Sequence, residues 1–170
     1  MTRNQKIERH TIAVLVDNEA GVLARVVGMF SGRGYNIESL TVAETDPAAH
    51  TSRITVVTSG TPEVLEQLRA QLSRIVPVHK VMNWTIEKPG VEREMALIKV
   101  AGTGEKRVEA LQIAGSFRAR PVDTTHTSFV FEITGAPSKI DSFIDLMRPL
   151  GLVEVSRTGV AAISRGAEAM

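Results

Sequence analysis

Two stretches of this 170-residue chain, ITVVTSGTPEVLEQL (54–68) and FVFEITGAPSKIDSF (129–143), follow one plan. In each, a β-branched or aromatic run meets Gly-x-Pro and passes into a segment whose apolar residues recur at helical spacing. The proline suits the first turn of a helix, where its missing N–H costs nothing. A chain that carries this joint twice is constrained to two small units of similar topology, each with its own sheet. Residue identity between the stretches is weak, so shared fold chemistry explains the likeness as readily as duplication does.

The patterning around the first joint is clear. HTIAVLVD alternates Ile12, Val14 and Val16 against Ala13 and Leu15, which predicts a strand. Val22, Val26, Val27 and Phe30 recur at helical spacing until SGRG (31–34) ends the segment. YNIESLTVAET and RITVVTS read as two strands joined by DPAAHTS. Thr61 and Pro62 then open a helix whose buried stripe is Val64, Leu65, Leu68, Leu72 and Ile75. VPVHKVMNWTI supplies a fourth strand. The order over residues 8–86 is βαββαβ, a ferredoxin-like unit with four antiparallel strands and two helices on one face. EKPGVERE (87–94) reads as a linker. Over 95–166 the pattern recurs. MALIKVAG is a strand, GEKRVEALQIAGSFRA a helix stopped by Pro121, PVDTTHTSFVFEITG strand material, APSKIDSFIDLMRPLG a helix and LVEVSRTGVAAIS one or two strands. The expected class is α+β, two ferredoxin-like βαββαβ domains.

Bulk composition narrows the function. Hydrophobic residues make up 43% of the chain and aromatics 4%, so the cores are aliphatic. A net charge of +1, spread along the chain, argues against a nucleic-acid binder. Without cysteine there are no disulfides, zinc thiolates or thiol nucleophiles. MTRNQKIERHT lacks the apolar core of a signal peptide, and the apolar runs are strand-sized, short of the ~20 residues a membrane span needs. A soluble, cytoplasmic protein with no membrane partner is expected.

No constellation suggests catalysis. His10, His50, His79 and His126 are scattered, and surface or strand positions account for them better than a metal site. No serine sits in a G-x-S-x-G elbow. The pairs Glu63/Glu66, Asp141/Asp145 and Glu92/Glu94 suit solvated faces. GTGEKR (102–107) places Arg107 where a dinucleotide loop has its third glycine. SGRG lacks the Lys-Ser/Thr of a phosphate loop. Phe129 and Phe131 suit a core better than an RNA-binding sheet face. No catalytic residue and no metal ligand is expected.

One loop is chemically suggestive. NEAGVL (18–23) lies between the first strand and first helix, where unpaired backbone N–H groups suit a carboxylate. Gly21 lets a ligand approach that backbone and permits unusual φ/ψ. Asn18 offers an acceptor for an ammonium group or a donor for a carboxylate, and Val22 and Leu23 an apolar wall. Together these describe a site for an aliphatic amino acid. The plainer reading is that Asp17 and Asn18 cap the helix while Gly21 serves the turn.

NEAGVLARVVGMFSGRGYNIESLTVAET resembles the N-terminal ACT domain of the regulatory (small) subunits of acetohydroxyacid synthase, or acetolactate synthase. VEREMALIKV and LVEVSRTGVAAISRG resemble the start and end of that family's second domain, and the likeness covers nearly the whole chain. The resemblance implies a non-catalytic subunit without cofactors of its own. It would bind and activate a catalytic subunit that carries thiamine diphosphate, Mg and FAD, and make it sensitive to branched-chain amino acids, valine above all. It further implies a homodimer or higher, with the effector between two ACT domains. Asn18, Ala20, Gly21, Val22 and Leu23 would come from one chain, and Asn36 and Ile37 from the other. Ala20 stands where many members have serine, so one hydroxyl contact is absent. The alternative is a stand-alone ACT-type sensor controlling a different enzyme or a transcription factor; no helix-turn-helix segment is evident. A small enzyme of the acylphosphatase kind would want an arginine in the first loop, and DNEAGVL has none. In the second domain, Arg157 and Arg165 flank an apolar stretch that suits partner docking or edge protection equally.

Overall fold

Each Gly-x-Pro joint becomes a strand-to-helix junction in the computed structural model, which describes residues 6–87 and 90–170. The chain divides into two units, one formed by the described residues up to Val91 with Val160–Met170, the other by Glu92–Gly159.

The first unit runs β1 (Glu8–Asp17), α1 (Val22–Ser31), β2 (Ser39–Asp46), β3 (Thr51–Gly60), α2 (Pro62–Leu72) and β4 (Val78–Asn83). Its antiparallel sheet has the order β2-β3-β1-β4, which leaves β2 and β4 as edges. Ile12, Val14, Val16, Ile54 and Val56 from the interior strands pack under Val22, Val26 and Phe30 of α1 and Leu65, Leu68 and Leu72 of α2. Burying each such side chain is worth about 1.5–3 kcal/mol, so this two-helix face carries most of the unit's stability. α2 begins as expected: Thr61 is the N-cap, its hydroxyl accepts from the Val64 N–H, and Pro62 fills the first helical position.

The second unit runs β5 (Gly90–Ala101, entered from the first unit), α3 (Gly104–Ser116), β6 (Arg120–Thr124), β7 (Ser128–Gly135), α4 (Pro137–Met147) and β8 (Leu152–Arg157). Its strands take the order β6-β7-β5-β8. Phe131 meets Phe143 edge to face at 6.0 Å, and Phe129 stacks on Phe131 at 5.2 Å. Both phenylalanines of β7 are therefore core. Arg107 lays its guanidinium over the Phe129 ring at 3.9 Å, a cation–π contact in place of any nucleotide loop.

The structure corrects three boundaries. The stretch expected as a linker, 87–94, is already β5 from Gly90, while Lys88 and Pro89 lie outside the described residues. α3 stops at Ser116, where Arg118 turns to φ 56°, and Pro121 sits instead in edge strand β6, where a missing N–H is tolerated. The end of the chain, assigned from sequence to the second domain through residue 166, folds with the first unit from Val160.

That tail has clear anchors. The Val160 N–H donates to Ser39 Oγ (2.8 Å) and its carbonyl accepts from Thr41 Oγ1 (2.9 Å). Arg53 Nη1 donates to the Ala162 carbonyl (3.3 Å), and Ala162 packs with Ala13 and Trp84. Ala13 alternates with the helix-facing Ile12 and Val14, so the tail, including the short β9 (Ala161–Ser164), covers the face of the sheet away from the helices.

Candidate functional site

The loop that opens α1 is held by its neighbours and not by helix caps. Gly21 is the N-cap, at φ 86°, and no side chain caps the helix. Asp17 pairs with His79. Asn18 donates its backbone N–H to the His50 carbonyl (2.7 Å) and its side-chain Nδ2 to Glu44 Oε1 (3.1 Å). The plainer reading thus holds for Gly21 as a turn residue and not for Asp17 or Asn18 as caps.

Two helix-start amides are left open. The Val22 N–H reaches the Glu19 carbonyl at 3.4 Å and the Arg25 N–H the Gly21 carbonyl at 3.1 Å. Those of Leu23 and Ala24 have no acceptor among the described residues. Two adjacent, outward amides at the positive end of a helix suit a carboxylate. A carboxylate such as Glu44 only accepts, so it fixes the orientation of the Asn18 amide and leaves Oδ1 facing away from it, suited to an ammonium group. Ala20, Gly21 and Leu23 are exposed, and a Cβ built on Gly21 would meet nothing within 4 Å, so the approach to this backbone is clear. Val22 differs from the expectation of an apolar wall: at 6% exposure its side chain belongs to the core, and only Leu23 presents an aliphatic group outward.

Asn36 and Ile37 lie beyond the other end of α1, because the Tyr35 N–H returns to the carbonyl of Phe30 in the helix's last turn. Ten helical residues span about 15 Å, too far for one small amino acid to touch both ends. Asn36 is exposed and Ile37 is half-buried against the core. The Asn36 carbonyl accepts from Thr58 Oγ1 at 2.6 Å. Within one copy the expected site residues therefore form two separate groups, 18–23 and 36–37.

Sequence reasoning missed Glu44, His50 and Thr58, the residues that hold these groups. The parity of β2, on which Leu40 faces the core, was the available signal for Glu44. Elsewhere, the described residues hold no cluster of three or more His, Cys, Asp or Glu suited to a metal, and no helix among them is long and apolar enough to cross a membrane. Arg157 is not free for docking. It donates to Glu94 Oε2 (2.9 Å) and Asp141 Oδ1 (2.6 Å), and hydrogen bonding to Glu94 above all raises its pKa against the opposing effect of burial.

Residues 12–80 match the model of the AHAS small subunit-like ACT domain, and residues 93–166 that of the small subunit of acetolactate synthase. A chain of Archaeoglobus fulgidus named "probable acetolactate synthase small subunit" is 48% identical, with 93% of this chain and 98% of that one covered. The acetolactate synthase isozyme 3 small subunit of Escherichia coli is 41% identical over 95% of this chain and 99% of its own. The crystal structure of the small subunit from Thermotoga maritima superposes with a TM-score of 0.82 at 36% identity, covering 95% of this chain and 99% of that one. With both units matched and the two-sheet ACT architecture shared, the chain belongs to the acetolactate synthase small-subunit family.

Proposed function

We propose that this chain is the regulatory subunit of an acetolactate synthase. It docks on the catalytic subunit, raises its activity and confers feedback inhibition by a branched-chain amino acid, with valine the first candidate. The chemistry stays with the catalytic partner. The effector binds between the ACT units of two copies. One copy offers the open amides of Leu23 and Ala24 to the carboxylate, Asn18 Oδ1 to the ammonium group and exposed Leu23 to the aliphatic side chain, with Ala20 and Gly21 leaving room and Val22 anchoring the loop to the core. The other copy offers Asn36 and Ile37.

The observation that carries this reading is the position of the two groups along edge strand β2. Asn36 and Ile37 lead into its start, while Glu44, which holds Asn18, stands near its end. Two copies that pair β2 with β2 antiparallel about a two-fold axis place the start of each strand beside the end of the other. That pairing also satisfies the open edge, which would otherwise invite aggregation. It forms two equivalent sites, each built from both copies. Effector affinity then depends on the relative position of the copies, the differential binding that allostery requires.

Calorimetric titration with valine, with D-valine and lysine as controls, is expected to give stereospecific heat near one site per chain. Asn36→Ala is expected to abolish inhibition of the reconstituted enzyme while activation persists. Unchanged inhibition in that variant would remove the pocket assignment.

A further inference from the structure

We propose that Thr58 is the positioning residue for the effector-contacting peptide Asn36–Ile37; the inference rests on the reading of that site given above. The stretch 36–38 precedes β2 and stands outside its register with β3, which begins at Ser39↔Val57. Three consecutive residues of β3 hold it instead. The Val57 carbonyl accepts from the Glu38 N–H (2.8 Å), the Thr58 hydroxyl donates to the Asn36 carbonyl (2.6 Å), and the Ser59 hydroxyl donates to the Glu38 carboxylate.

Val57, equally buried, acts through its backbone carbonyl and Ser59 is only half-buried, so Thr58 alone of the three reaches out with a fully buried side chain. It is 0% exposed, on an interior strand between β2 and β1, and faces His10 in register. Its partner, Asn36, is exposed at the surface. The hydroxyl therefore links a rigid interior strand to a surface peptide, and it does so at the residue whose side chain is to meet the ligand. A buried hydroxyl needs a partner, and here the partner is the peptide oxygen between Asn36 and Ile37. Holding that peptide sets both the origin of the Asn36 side chain and the direction of the Ile37 backbone before the ligand arrives. Without the bond, the ordering cost of the leader falls on binding.

The test is calorimetric titration of the full chain with valine, on the natural sequence and on Thr58→Val, Thr58→Ala, Thr58→Ser and Asn36→Ala. The hydroxyl-free variants are expected to bind valine about tenfold more weakly, the scale of one lost hydrogen bond, and Thr58→Ser within about twofold of the natural chain. Sedimentation of all variants is expected to match the natural chain. Thr58→Ala decides the matter if the valine variant fails to fold, since it introduces no new bulk. Natural affinity in the hydroxyl-free variants, with Asn36→Ala weakened, would leave the site reading intact and overturn the role of Thr58. Equal weakening of Thr58→Ser and Thr58→Val would likewise overturn it, because packing and not the hydroxyl would then be responsible. Natural affinity in Asn36→Ala would overturn the site reading itself.

Discussion

Gly21 and Gly151 both hold positive φ, at 86° and 106°, for different reasons. Around Gly21 there is open space, so alanine there meets only the left-handed backbone penalty of about 1–2 kcal/mol. At Gly151 an added Cβ would lie 1.9 Å from the Ala101 carbonyl oxygen, in a turn whose own carbonyl accepts from the Ala101 N–H. The backbone must move to accept any side chain there. Urea unfolding followed by far-UV circular dichroism is expected to rank the midpoints natural chain, then Gly21→Ala, then Gly151→Ala, with the last below the first by more than the left-handed penalty alone. Gly21 was legible in the sequence because its role is local, between a strand pattern and a helix pattern. Glu44 and Thr58 were not, since each acts on a residue 26 or 22 positions away, beyond the end of a strand, that only the folded chain brings near.

Among the elements, the attachment of β8 is the most exposed to a single change. Arg157 on β8 pairs with Glu94 on β5 and Asp141 on α4, and the Glu94 side chain is only 3% exposed. Removing the arginine strands a buried carboxylate, a loss of about 3–5 kcal/mol. The pair Arg148–Asp145, with both side chains more than 60% exposed, is screened by water and worth about 0–1 kcal/mol. Arg157→Met is therefore expected to lower the thermal midpoint by many degrees and Arg148→Met by little, as differential scanning calorimetry would read directly. Equal effects would mean that Glu94 finds water or another donor when Arg157 is lost. The elements themselves were largely readable: alternation marked β1, and Thr61-Pro62 marked the start of α2. The end of α3 was not, because Pro121 looks like a helix stop in sequence. The helix in fact closes on the Ala119 N–H returning to Ala114 O, leaving the proline free to enter an edge strand.

For the whole molecule, two repeated patterns correctly announced two sheets, but not the ownership of the last residues. VAAIS alternates like any terminal strand, and nothing local says that Val160 is buried against Ser39 and Thr41 of the first unit. The proposed assembly makes a demand at this same scale, because the effector groups of one copy are complete only with those of another. Val42 lies on edge strand β2 and is 43% exposed. A lysine there places like charges near one another across a two-fold pairing of edges, a device that natural sheets use to keep edges apart. Val42→Lys is expected to shift sedimentation toward the monomer at micromolar concentration and to remove the heat of valine binding, although Asn18, Gly21, Asn36 and Thr58 are all unchanged. Asn36→Ala should lose the same heat while remaining a dimer. A monomeric Val42→Lys chain that still bound valine would mean that one copy suffices, and the effector would then have to sit at one end of α1 without the other.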